Sequence, residues 1–171
     1  MDTLFGLPAH PLLVHIPIVL LPLAAIGVIV MMVKPSWHHR YRWVVLGMGI
    51  AGALGAVFAA QAGEELEGRI RAVEGREAAH RWADHAALGE TARNFALLFL
   101  GALVVFVALR WWQERRAGPD ASAPSRNVRI LNVAVSIVAV LAAVGTVVTI
   151  VQAGHTGSES VWEDYVKDTG K

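Results

Sequence analysis

Four long apolar runs divide the chain, at residues 11–33, 43–62, 94–112 and 130–154. Each is close to or above the length of about 20 residues that an α-helix needs to cross ~30 Å of hydrocarbon. Because the backbone in lipid must satisfy its own hydrogen bonds, helices are the expected form of these runs. They are too long and too uniformly apolar for barrel strands, which alternate apolar and polar residues. The pattern predicts an all-α integral membrane protein, a four-helix bundle in up-down-up-down order.

The distribution of charge predicts which way the bundle faces. The connections 34–42 and 113–129, together with Arg110 near the end of the third run, carry eight of the 15 Lys and Arg residues but only two of the 14 acids. Short loops rich in Lys and Arg stay in the cytoplasm, so both are predicted to be cytoplasmic loops, with the two termini outside. The expected location is the bacterial inner membrane. The net charge of +1 gives no indication of nucleic-acid binding.

The remaining segments are predicted to complete a single domain covering residues 1–171. Residues 63–93 are rich in Glu, Arg and Ala, which favour helix, and are expected to extend spans two and three outward as a charged helical pair. The tail 155–171 places Val161, Trp162, Tyr165 and Val166 on one helical face. That face predicts a short helix lying on the outer leaflet. The first run has no basic residues before it, so it is predicted to be a retained span rather than a cleaved signal.

Five of the seven histidines gather on the outer side of this map: His10, His15, His80, His85 and His155. Imidazole is the commonest protein metal ligand and a frequent axial ligand of haem. His15 is expected to face the bundle interior, because ionisable residues inside a span usually do. The pattern therefore predicts a cofactor site at the outer end of the bundle.

The other two histidines and the nearest acid are interpreted differently. His38 and His39 fall in the basic loop 34–42 and are predicted to be solvated residues or phosphate contacts. Glu64 ends span two at the level of the outer histidines. It is a candidate metal ligand, a partner of an imidazole N–H, or the start of the solvated loop.

Small residues recur every fourth position along span two, at Gly47, Ala51, Gly55, Ala59 and Gly63. Such a ridge favours close helix packing, and it would also give clearance to a flat macrocycle or a quinone. Pro17 and Pro22 are each expected to free a carbonyl and to kink span one beside His15.

Several motifs resemble a family of small bacterial membrane proteins, the domain of unknown function numbered 2231. They occur in order along almost the whole chain: HPLLVHIPIVLLPLA at 10–24, AAQAGEELEG at 59–68, HAALG at 85–89 and GHTGSESVWEDYV at 154–166. The resemblance selects His10, His15, His85 and His155 as the motif histidines. The resemblance implies redox neighbours, since relatives are fused to Rieske-type and cytochrome c-type domains, and hence an extracytoplasmic redox partner of those types.

Three functions are compatible with these features. The first is a b-type haem module for electron transfer, with His15, His85 and His155 as first-choice ligands and His10 next. The second is a Cu, Zn or Fe site built from the same histidines and Glu64. The third is an accessory subunit of a larger membrane complex or a homo-oligomer. The chain has no cysteine, and no nucleophile–base pair, phosphate loop or HExxH motif indicates an enzyme.

Overall fold

The computed structural model describes residues 3–4, 6–116 and 124–168, without the side chains of residues 4, 78–79 and 163–168. The described chain is almost entirely helical. Its elements are β1 (Thr3–Leu4), β2 (Leu7–Pro8), α1 (Ala9–Leu13), α2 (His15–Val33), α3 (Pro35–Val73), α4 (Arg76–His80), α5 (Ala83–Arg116) and α6 (Arg126–Asp168). The strands form a small antiparallel hairpin around Gly6, whose φ of 80° is one that glycine adopts readily.

Prolines determine where the first helices break. Pro17 cannot donate to the carbonyl of Leu13, the residue at which α1 ends. Lys34 precedes Pro35 and is extended, with φ −124° and ψ 86°, as the residue before a proline tends to be. Pro35 then takes the first position of α3, where its missing N–H costs nothing. Residues 35–42, assigned to a loop from sequence, are therefore helical, and the connection shortens to Lys34.

The far ends of the helices also differ from the sequence assignment. α6 is continuous to Asp168, so the tail is an extension of span four rather than a separate interfacial helix. Its Thr and Ser hydroxyls bond the carbonyls one turn back, as Ser158 Oγ does to Gly154 O at 3.0 Å, so they do not interrupt the helix. The side chains of Tyr165 and Val166 lie outside the described residues, as do residues 117–123 of the predicted loop 113–129.

The four long helices pack in a ring in which α2 contacts α3, α3 contacts α5, α5 contacts α6, and α6 returns to α2. Short connections between successive helices give the up-down-up-down order. Large side chains fill the centre, and those buried completely include Leu21, Val28, Met31, Phe99, Leu103 and Phe106. Thr146 ties α6 to α5, because its Oγ1 donates to Phe95 O at 3.0 Å.

The small-residue ridge of α3 is only partly a packing surface. Gly55 and Ala59 are buried, but Gly47 and Ala51 are exposed. At Gly55 a Cβ would lie 2.6 Å from Ile16 Cγ2 of α2, and at Gly52 it would lie 2.7 Å from Leu21 Cγ and 3.3 Å from the backbone nitrogen of Leu21. The small residues of α3 therefore serve helix packing, on a face that includes Gly52 as well as Gly55.

Among the described residues, four helical segments are long and apolar enough to cross a membrane: Ala9–Val33 (α1 with α2), Pro35–Val73, Ala83–Arg116 and Arg126–Trp162. Only 33–39% of the most apolar window of each is buried inside the protein. The rest presents Leu, Ile and Val side chains outward, a surface suited to lipid and unsuited to water.

Candidate functional site

A pocket lies between α3 and α5 at the end of the bundle that carries His10 and His85, which we call the histidine end. Its volume is about 420 Å³, within the range of small-molecule sites. The lining combines the two imidazoles and Trp82 with small and aliphatic residues and three acids: Ala60, Gly63, Leu66, Ile70, Ala86, Ala87, Gly89, Glu64, Glu67 and Glu90.

His10 reaches this pocket from the short helix α1. Its Nδ1 lies 2.7 Å from the carbonyl oxygen of Ala59 on α3. The ring sits against Gly63, where a Cβ would come within 3.0 Å of Nδ1. Two small residues of α3 therefore make room for the imidazole and hold its orientation.

His85 enters from the first turn of α5 and is held by α6. Its Nδ1 lies 2.9 Å from Ala153 O, and a Cβ at Gly157 would approach its Cε1 to 2.8 Å. Trp82 stands beside it, with ring centroids 6.3 Å apart. Each histidine is thus fixed by a carbonyl and a glycine of a neighbouring helix.

The two imidazoles lie close together with their planes nearly perpendicular: the centroids are 5.8 Å apart and the planes meet at 83°. A carbonyl oxygen only accepts hydrogen bonds, so each Nδ1 carries the hydrogen and donates it. In the neutral ring this leaves the lone pair on Nε2. The same arrangement, with Nδ1–H bound to a carbonyl, is common in histidines that ligate a metal through Nε2.

The other two motif histidines do not join this pair. His15 is exposed on the outside of α2, so the expectation that it faces the bundle interior is wrong. α1, which carries His10, ends before His15, so His10 and His15 belong to different helices. His155 is also exposed, and its Nε2 lies 3.3 Å from Glu159 Oε1 one turn along α6.

Glu64 lines the pocket but its side chain is 70% exposed, and Arg93 Nη1 lies 3.7 Å from its Oε1. Within the described part of the chain, no group of three or more His, Cys, Asp or Glu side chains is placed to hold a metal ion. The structure therefore brings together His10 and His85 as a pair, with Glu64 at the rim.

A second polar cluster, at the opposite end of the bundle, was missed from sequence. His38 is only 1% exposed, and its Nδ1 lies 3.0 Å from Glu114 Oε1. Arg42, also buried, donates from Nη1 to Glu114 Oε2. The interpretation of His38 as a solvated loop residue is wrong, because residues 35–42 are helical and turn His38 inward against Phe106. The spacing of His38 and Arg42, four apart and so on one helical face, was the available signal. We call this end, with Arg42, Arg110 and Glu114, the arginine end.

The fold and its outward apolar surface define an integral membrane protein with four candidate spans and a two-histidine pocket at one end. The chain belongs to the family described as predicted membrane protein (DUF2231), whose sequence profile matches residues 6–170. Comparison with curated proteins gives no match, and comparison with solved structures gives none either.

Proposed function

We propose that the protein is a membrane-embedded electron-transfer module that binds a b-type haem, with His10 and His85 as the two axial ligands. The observation that carries the proposal is the pair itself: two imidazoles 5.8 Å apart, each with Nδ1 occupied by a carbonyl. A haem held by these two imidazoles would supply one-electron redox chemistry.

The separation of the rings fits a shared metal centre. With each Nε2 about 2.0–2.1 Å from a shared metal, the two centroids would be about 5.2 Å apart at a tetrahedral angle and about 6.3 Å apart on opposite faces of a haem. The observed 5.8 Å lies between these values, so a small shift of the rings would allow either arrangement. The carbonyls of Ala59 and Ala153 would fix ring orientation and raise the basicity of each ligand, as hydrogen-bond partners of metal-bound histidines do.

The number of ligands favours haem over a bare ion. A tetrahedral zinc or copper site needs three or four protein ligands, and the described residues supply no such group. In a haem the porphyrin supplies four nitrogen ligands to the iron, so the protein needs to supply only two side chains. The apolar lining from Leu66, Ile70 and Trp82 also suits a macrocycle better than a hydrated cation.

A non-haem metal site is the second candidate, favoured by Glu64, which lines the same pocket as both histidines. Its carboxylate would have to leave Arg93 and turn inward to act as a third ligand. The expected Rieske-type or cytochrome c-type partner and the inner-membrane location are part of the electron-transfer proposal and stay predictions.

The test is an absorption spectrum of detergent-purified protein from cells supplied with a haem precursor, oxidised and then reduced with dithionite. We expect a Soret band with sharp reduced α and β bands. His10→Ala and His85→Ala should lose them, while His15→Ala and His155→Ala should keep them. The last two are matched controls, since they remove an exposed imidazole near the same end. Size-exclusion profiles check that each variant is folded.

Other outcomes would overturn the haem assignment. A featureless spectrum with stoichiometric Cu, Zn or Fe by elemental analysis would establish the metal site. A sample that contains neither haem nor metal would favour the third function, an accessory subunit. Haem that survives both His10→Ala and His85→Ala would show that the pair is not the ligand set.

A further inference from the structure

Within the part of the chain that the structure describes, the arginine end carries cations that no carboxylate neutralises. Lys34, Arg40, Arg115 and Arg116 are exposed, and among the described residues none of them forms an ion pair. Glu114 is the one acid of this end that the structure describes, and it is already bound by Arg42 and His38. A cluster of uncompensated charge at a bilayer surface attracts anions.

Each of these cations lies over an aromatic ring of the same helix or the adjoining turn. The distances from the charged group to the ring centroid are 4.7 Å for Lys34 on Trp37, 5.7 Å for Arg40 on Tyr41, 4.9 Å for Arg115 on Trp111 and 4.1 Å for Arg116 on Trp112. Cation–π contact fixes a flexible side chain without neutralising it. The side chains are therefore partly ordered before any ligand arrives.

A ring contact also leaves N–H donors of a guanidinium available. The guanidinium carries five N–H donors in a rigid fork, and an aromatic ring 4.1–4.9 Å away does not take them up as an oxygen acceptor would. Such a fork matches two oxygens of a phosphate. Arg115 and Arg116, consecutive on α5, thus offer two forks at the same level of the bundle.

The cations of α3 and α5 belong to one surface. Trp43 of α3 and Trp111 of α5 are in contact, with centroids 6.1 Å apart, and so join the two groups. Helix dipoles do not account for the cations of α3, because Lys34 and Arg40 lie at its positive N-terminal end. Tryptophan and tyrosine favour the headgroup level of a bilayer, where lipid phosphates lie.

We infer that this surface, made of Lys34, Arg40, Arg115, Arg116 and their aromatic rings, binds the phosphate of anionic phospholipids in the surrounding leaflet. The positive charge selects anionic over zwitterionic lipid, and the tryptophans place the cations at headgroup depth. This inference is independent of any cofactor at the histidine end.

The experiment is native mass spectrometry of the full chain in detergent with equal amounts of phosphatidylglycerol and phosphatidylcholine of identical acyl chains. We expect several-fold more phosphatidylglycerol retained. Arg115→Gln with Arg116→Gln should remove most of that preference. Arg71→Gln with Arg76→Gln is the matched control, since it removes two exposed arginines at the histidine end, and it should leave the preference intact.

The alternative results are decisive. Equal retention of both lipids, or an equal loss in the control variant, would overturn the inference. Competition by millimolar inorganic phosphate that abolishes phosphatidylglycerol retention would identify free phosphate as the ligand and overturn the lipid assignment. Should the α5 double variant fail to fold, Arg40→Gln on α3 tests the same surface and should lower the preference.

Discussion

His10 and His85 lie with their ring centroids 5.8 Å apart, and neither is held by the helix that carries it. His10 donates to Ala59 O of α3, and His85 donates to Ala153 O of α6. The relative position of the imidazoles therefore depends on how α1, α3, α5 and α6 pack. A small displacement of any of them changes the distance between the rings, so the proposed site is open to test through packing as well as through ligand removal.

Gly157→Ala should weaken cofactor binding without touching a proposed ligand. The added methyl would lie 2.8 Å from His85 Cε1 and 3.0 Å from Nδ1, so the ring must shift and its hydrogen bond to Ala153 O is disturbed. Overpacking of this kind costs about 1–3 kcal/mol. The measurement is haem content per chain, from the reduced spectrum, together with the thermal melting point in detergent.

Gly154→Ala is the control for this change, since nothing lies within 4 Å of its added Cβ. Both glycines lie in α6, so both variants gain similar helix propensity, about 1 kcal/mol. Equal haem content in the two variants would contradict the placement of His85 against Gly157.

The four helices could be predicted from sequence, because the need to satisfy backbone hydrogen bonds in lipid acts on each apolar run separately. A run of about 20 apolar residues must be helical whatever its neighbours are. All four runs proved to be helices, and each extends beyond its apolar stretch. The helical residues beyond the apolar runs, at 35–42 and 155–168, are largely polar. Hydropathy therefore does not predict that the helices continue through them.

The sequence predicted only part of the site, because the direction of a side chain depends on how its helix is rotated against its neighbours. His10 and His15 are both motif histidines, but a spacing of five residues places them about 140° apart around a helix, so one points to the pocket and the other away. His38 and Glu114 are 76 residues apart, and the sequence around either residue does not predict their contact.

Glu114→Gln should destabilise the protein at the arginine end. The amide keeps the size of the carboxylate but removes the charge that both His38 and Arg42 contact. Hydrogen bonds to charged groups contribute about 1.5–3 kcal/mol each, and Glu114 is 40% exposed, so we expect a loss of about 2 kcal/mol. Denaturant unfolding in detergent micelles measures the change.

Glu90→Gln serves as the comparison. Glu90 pairs with Arg93 at 3.0 Å but is 65% exposed, and such surface pairs contribute about 0–1 kcal/mol. If Glu114→Gln cost no more than Glu90→Gln, the cluster of His38, Arg42 and Glu114 would not be a stabilising element of the fold.

Gly52→Ala should disturb the contact between α2 and α3. Its Cβ would meet both the side chain and the backbone nitrogen of Leu21, and backbone yields less readily than a flexible side chain. We expect a lower melting point, equivalent to about 1–3 kcal/mol. Gly47→Ala, with no atom within 4 Å, should leave stability unchanged or raise it by about 1 kcal/mol. The reverse order of melting points would show that α3 presents a different face to α2.

The predicted orientation can be measured directly, because the chain has no cysteine. Ser36 is exposed at the arginine end and Ser158 at the histidine end, so a cysteine at either position reports one side of the membrane. Since short loops rich in Lys and Arg stay in the cytoplasm, a membrane-impermeant maleimide should label Ser158→Cys on intact cells. Ser36→Cys should be labelled only after permeabilisation. The opposite pattern would place the two-histidine pocket on the cytoplasmic side, and an extracytoplasmic redox partner would then have no access to it.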